Sequence, residues 1–70
     1  MAVIKVIELV GTSPDGWHAA AENAVSTSAK TIRDIVGVEL VAATAKVTGQ
    51  QISEYRATVK IAFMVREKVE

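Results

Sequence analysis

The apolar positions of this chain follow two periods, and the changes between them mark its elements. Residues 2–10, Ala-Val-Ile-Lys-Val-Ile-Glu-Leu-Val, are rich in β-branched side chains and stop at Gly11, which reads as a strand. Lys5 and Glu8 fall on opposite faces, so neither face is purely apolar, as expected of a strand covered on both sides over part of its length. From residue 14 the period lengthens. Trp17, Ala20, Ala21, Ala24, Val25, Ser28, Ile32 and Ile35 recur at steps of three and four, which predicts an amphipathic helix over 14–35 with a stripe of small residues. Such a helix would span roughly 33 Å, and Gly37 is its expected stop.

Between the two lies Gly11-Thr12-Ser13-Pro14-Asp15-Gly16-Trp17. Here glycine should end the strand and Ser13 should cap the helix through its hydroxyl. Pro14 fits the first helical position, where no donor is lost, and Asp15 adds a negative charge near the positive end of the helix dipole.

Residues 38–48 read as a second strand of imperfect alternation. Glu39 would share a face with Val41 and Ala43, and Leu40 with Thr44 and Lys46, unless a bulge intervenes. Thr48-Gly49-Gln50-Gln51 is a tight turn in which glycine supplies a positive φ. Residues 52–66 alternate most cleanly. Tyr55, Ala57, Val59, Ile61, Phe63 and Val65 lie on one side, and Glu54, Arg56, Thr58, Lys60, Met64 and Arg66 mainly on the other. At about 3.3 Å per residue this strand approaches 50 Å, longer than one helix covers. The expected fold class is α+β, with order β-α-β-β. The last two strands form an antiparallel hairpin, and the helix packs on one face of a three-stranded sheet.

Composition strengthens one inference from the pattern. A chain of 70 residues, half of them hydrophobic and with no cysteine, makes one domain, residues 1–70, with a thin core and no disulfide or thiolate metal site to compensate. Association is the remaining route, so an obligate homo-oligomer is expected. Eight basic and eight acidic residues cancel and form no block, which argues against nucleic acid or membrane as a partner. No apolar run approaches about 18 residues, and a soluble cytoplasmic protein is expected.

Candidate chemistry is sparse. His18 is the only histidine, and a general base needs a partner and a pocket that the sequence does not supply. Capping accounts for Ser13. No phosphate loop, zinc motif or calcium loop occurs, so no enzyme is expected. Trp17 has two readings, a core anchor for the helix start or a stacking platform for a flavin or purine. Arg56 and Lys60 share a strand face with Glu54 and Thr58, either as a solvated or intersubunit salt-bridging face or as an anion or polar-ring site. Glu8, Glu39 and Glu54 could meet by symmetry and hold a hard cation through carboxylate oxygens.

Lys5-Val6-Ile7-Glu8-Leu9-Val10-Gly11-Thr12-Ser13-Pro14, then Trp17 and an alanine-rich helix, resembles the dodecin family. The resemblance continues through Thr31-Ile32-Arg33, the Glu39 strand and Tyr55-Arg56-Ala57-Thr58-Val59-Lys60-Ile61-Ala62-Phe63, almost the whole chain. It implies a β-α-β-β subunit of a hollow, non-enzymatic homododecamer of cubic symmetry. Flavin-binding members hold riboflavin or FMN in pairs between subunits, and some members are associated with coenzyme A or cations. The position of the family's flavin-stacking tryptophan is Gly37 here. Its flavin-contacting glutamine falls at Arg56, and the arginine of bacterial flavin binders falls near Thr44. The resemblance therefore implies a retained scaffold with altered flavin contacts, like the dodecins without that tryptophan, for which calcium binding is proposed. Flavin binding is expected to be weak or absent, by on the order of 1–3 kcal/mol per lost stacked ring. Flavin sequestration through Arg56 with Gln50 or Gln51, and cation binding through Glu8, Glu39, Glu54 or Asp34, remain the alternatives.

Overall fold

The computed structural model describes residues 2–65. Its elements are β1 (Val3–Ser13), α1 (Trp17–Ser28), β2 (Ile35–Thr48) and β3 (Gln51–Val65). The three strands form one antiparallel sheet in the order β1-β3-β2, with the helix on one face. The longest and most regularly alternating strand takes the centre, where it pairs on both edges. Arg66, the last residue of the strand expected from sequence, lies outside the described residues.

The alternation of β3 decides what is buried. Ala57, Val59 and Ile61 are fully enclosed, and with Ala20 and Ala24 of the helix they make the core. Ile7, Leu9, Ala21, Val25 and Ile35 pack around it. The helix sits over β1 and β3 and barely touches β2. Its 12 residues reach about 18 Å, against about 50 Å for the 15 residues of β3. The radius of gyration is accordingly 14.7 Å, where a rounded chain of this length has about 11 Å.

Gly11 does not break the strand. It is paired with Ala57 inside β1, which runs on to Ser13 opposite Tyr55. Its lack of a side chain serves packing: a Cβ there would run into the Ala20 carbonyl oxygen and stand 2.9 Å from the Ala24 Cβ. The helix lies so close to β1 that only glycine fits beneath it.

The helix is also shorter than its periodicity suggests. Ser13 is still a strand residue, and its Oγ accepts from the Asp15 amide at 3.0 Å, closing a bend rather than capping a helix. The N-cap is Gly16, at φ 147°, with no side-chain cap bond and no acidic residue in the first turn. Pro14 and Asp15 therefore precede the helix. At the other end Ser26-Thr27-Ser28 is a weak helical run, and the amides of Thr31 and Ile32 close the last turn on the Ser28 carbonyl. Asp34, at φ 61°, turns the chain into β2, and its carbonyl accepts from Met64 N at 2.9 Å. Ile32 and Ile35 match the helical spacing, but the helix has already ended: Ile32 lies in the connection after it and Ile35 opens β2. Gly37 is a strand residue, opposite Ala62.

A bulge does interrupt β2. Leu40 pairs with Val59 and Ala42 with Thr58, leaving Val41 as the extra residue. The bulge reverses the expected face assignment: Glu39 now shares a face with Ala42, Thr44 and Lys46, while Leu40 joins Ala43 and Ala45 on the helix side. The hairpin loop is Gly49-Gln50, both at positive φ, 59° and 70°, as a two-residue loop matching the twist of its strands requires.

Candidate ligand-binding face

The helix covers one face of the sheet and leaves the other open. On the open face the register builds rows across the three strands. Glu8 and Glu39 flank Lys60; Val10 and Ala42 flank Thr58; Thr12 and Thr44 flank Arg56; Val6 and Gly37 flank Ala62. A shallow hollow of about 410 Å³ opens there among Val6, Gly37, Val38, Glu39, Lys60 and Ala62. A Cβ added at Gly37 would meet nothing within 4 Å, so this position is open to a side chain or a ligand.

All three aromatic rings belong to the other side. The chain has one Trp, one Tyr and one Phe. Tyr55 and Phe63 alternate with the open-face residues of β3. Trp17 starts the helix, donates its Nε1–H to the Thr44 carbonyl at 2.7 Å, and meets Tyr55 edge-on at a centroid distance of 4.9 Å. It is 39% exposed, so it is a bracket tying the helix start to β2 rather than an enclosed core residue. No pattern in the sequence signals its bond to Thr44, because the partner is a backbone carbonyl 27 residues away.

The candidate positions separate along the face. Thr44 and Arg56 are direct partners, whereas Gly37 lies beside Ala62, six residues along β3 from Arg56, or about 20 Å. Arg56 Nε donates to Glu54 Oε2 at 2.7 Å, so both are held in an ion pair. Glu8 and Glu39 stand two strand spacings apart, about 10 Å, with Lys60 between them, and Glu54 is six residues further along β3. Among the described residues no three His, Asp or Glu side chains are grouped to hold a metal ion. The described carboxylates of a single chain therefore do not gather around a calcium ion. Flavin finds no ring to stack on at the open face of a single chain. His18 lies on the helix beside Glu22 at 3.6 Å, with both side chains largely exposed.

A second hollow, of about 460 Å³, runs along the helix past His18, Ala21, Glu22 and Val25 to Val38. It exists because the helix leaves β2 uncovered: Val38 and Leu40 face the helix side yet are 51% and 54% exposed. No helix among the described residues is long and apolar enough to cross a membrane.

Comparison with known proteins gives one family. The dodecin profile matches residues 3–66. The calcium dodecin of Mycobacterium tuberculosis is 32% identical over 66 residues, covering 94% of this chain and 93% of the relative. The dodecin of Thermus thermophilus is 31% identical over 65 residues, covering 93% and 94%. Among solved structures, the dodecin from Streptomyces coelicolor superposes with a TM-score of 0.92 at 30% identity, covering 96% of each chain. The Mycobacterium tuberculosis calcium dodecin structure gives 0.80 at 30% identity, covering 97% of each.

Proposed function

The chain belongs to the dodecin family, and from that premise we propose that it is a non-enzymatic, self-assembling dodecamer that binds a small ligand between copies and takes flavin weakly or not at all. The observation that carries the weak-flavin reading is the distribution of aromatic rings. Trp17, Tyr55 and Phe63 all lie on the helix side, and Gly37 occupies the position that the family resemblance assigns to the stacking tryptophan. Loss of a stacked ring costs about 1–3 kcal/mol, or about ten- to a hundredfold in affinity.

Self-assembly draws support from the short helix on a long sheet. Ile4, Val6 and Val10 on the open face are 54%, 52% and 55% exposed, and Val38 and Leu40 beside the helix are similarly bare. Covering each such half-exposed side chain contributes about 1 kcal/mol, which a lone chain forgoes. Native mass spectrometry of untreated protein tests subunit number and bound ligand together. About twelve times 7.5 kDa is expected, and a stable monomer refutes the assembly. Titration with FMN or riboflavin, followed by flavin fluorescence, tests the ligand; submicromolar quenching refutes weak binding.

A cation is the second reading, favoured by the 32% identical relative that carries the name calcium dodecin. It requires Glu8, Glu39 or Glu54 from different copies, since one chain does not bring them together. Metal analysis after dialysis against a chelator, and calcium titration of the stripped protein, separate it from the first.

A further inference from the structure

We propose that His18 and Glu22 form a two-point chelate for a divalent transition-metal ion, of the zinc and copper class rather than calcium, on the exposed face of the helix. The site does not depend on assembly or on the ligand of the open sheet face, because both side chains belong to one chain and stand on the helix side.

Helix geometry brings the two groups together. Residues four apart lie on one face, one turn from each other, and α1 holds both. His18 Nε2 and Glu22 Oε1 stand 3.6 Å apart, too far for a hydrogen bond. An ion held tetrahedrally at about 2.1 Å from each ligand atom sets the two atoms about 3.4 Å apart. A closure of about 0.2 Å brings the pair to that spacing. Neither group has a competing bond to give up: their mutual contact is the one interaction each side chain makes among the described residues. The side chains are 90% and 69% exposed, so an ion reaches them directly from solvent.

The donor set selects the ion. Imidazole suits zinc, copper and nickel, whereas calcium takes about six to eight oxygen ligands. One nitrogen and one carboxylate therefore favour the transition ion. Two protein ligands leave the other coordination positions to water, which makes an exchangeable site rather than a closed structural one. Both residues line the hollow of about 460 Å³ beside Ala21, Val25 and Val38, which gives those waters room. The helix start gives the ion a structural effect as well. Gly16 at the N-cap makes no side-chain cap bond, and the first turn holds no acidic residue. A bridge from residue 18 to residue 22 ties that first turn to the next.

Isothermal titration of untagged, chelator-treated protein with zinc chloride tests the site. The wild type is expected to bind one zinc per chain, and His18→Ala to weaken that binding by at least about tenfold. Glu22→His keeps two ligands at the same spacing and should bind at least as tightly as the wild type. Both positions are exposed, so circular dichroism should show the same fold in each variant. Calcium at equal concentration should not displace zinc, and zinc should raise the melting temperature of the wild type but not of His18→Ala. Trp17, the chain's one tryptophan, directly precedes His18, so Cu2+ should quench its emission in the wild type and lose that effect in His18→Ala. Equal zinc affinity in the wild type and His18→Ala, displacement by calcium, or no saturation below about 1 mM zinc overturns the site.

Discussion

Gly11 and Gly37 sit in the same sheet and use the same missing side chain for opposite ends. Gly11 faces the helix, and its bareness lets two backbones meet. Gly37 faces away, and its bareness leaves a hollow. The helix thus closes the β1 and β3 part of one face, while the other face is charged and open. The difference teaches that a glycine in a strand is ambiguous until its face is known, because close approach and empty space look alike in sequence.

Substitution separates the two sharply. Gly11→Ala should destabilise by about 3 kcal/mol, since the added carbon meets a backbone oxygen that cannot step aside; urea unfolding monitored by circular dichroism measures it. Gly37→Ala should be neutral or stabilising by about 0.5 kcal/mol in the same assay. Equal losses at both positions would erase the contrast between the faces.

Gly37→Trp sharpens the contrast by filling the hollow. It should tighten flavin binding by about ten- to a hundredfold, read from flavin fluorescence, with the fold intact. Trp17→Phe addresses the opposite face. It keeps a ring against Tyr55 but removes the donor to Thr44, and should lower stability by about 1 kcal/mol without changing the flavin titration. The smallest effect belongs to Glu54→Gln, which breaks a partly exposed ion pair worth less than about 1 kcal/mol. That loss should shrink further in high salt, as a melting series at two ionic strengths would reveal.

The order of elements, the length of β3 and its inward residues are legible in the sequence, because period-two alternation sustained over a long run is compatible with little besides a strand. The helix is overstated for a related reason. Ile35 fits a helical stripe by spacing, yet it reaches the core from β2, and spacing alone does not say which element delivers a residue to the core. Ser13 has the side chain of a cap, but strand pairing with Tyr55 takes its backbone first. On the open face, Arg56 and Lys60 are legible as one face of β3. The row formed by Glu8, Lys60 and Glu39 is not, because it depends on register across three strands and on the bulge at Val41 that sets Glu39 beside Ala42. The gap between Gly37 and Arg56 needs the same register.

The close fit at Gly11 also acts as an alignment key. Residues of β1 that face the helix alternate as Leu9, Gly11 and Ser13, and only the middle one has no Cβ. Were the helix to settle one repeat along the strand, its Ala20 carbonyl would land on a leucine or a serine side chain and could not come down. A single empty position therefore dictates where along the sheet the helix comes to rest, and with it where Trp17 must stand to find the Thr44 carbonyl. Misdocked arrangements are excluded by collision rather than outcompeted by attraction, so the correct one needs few specific contacts to be unique.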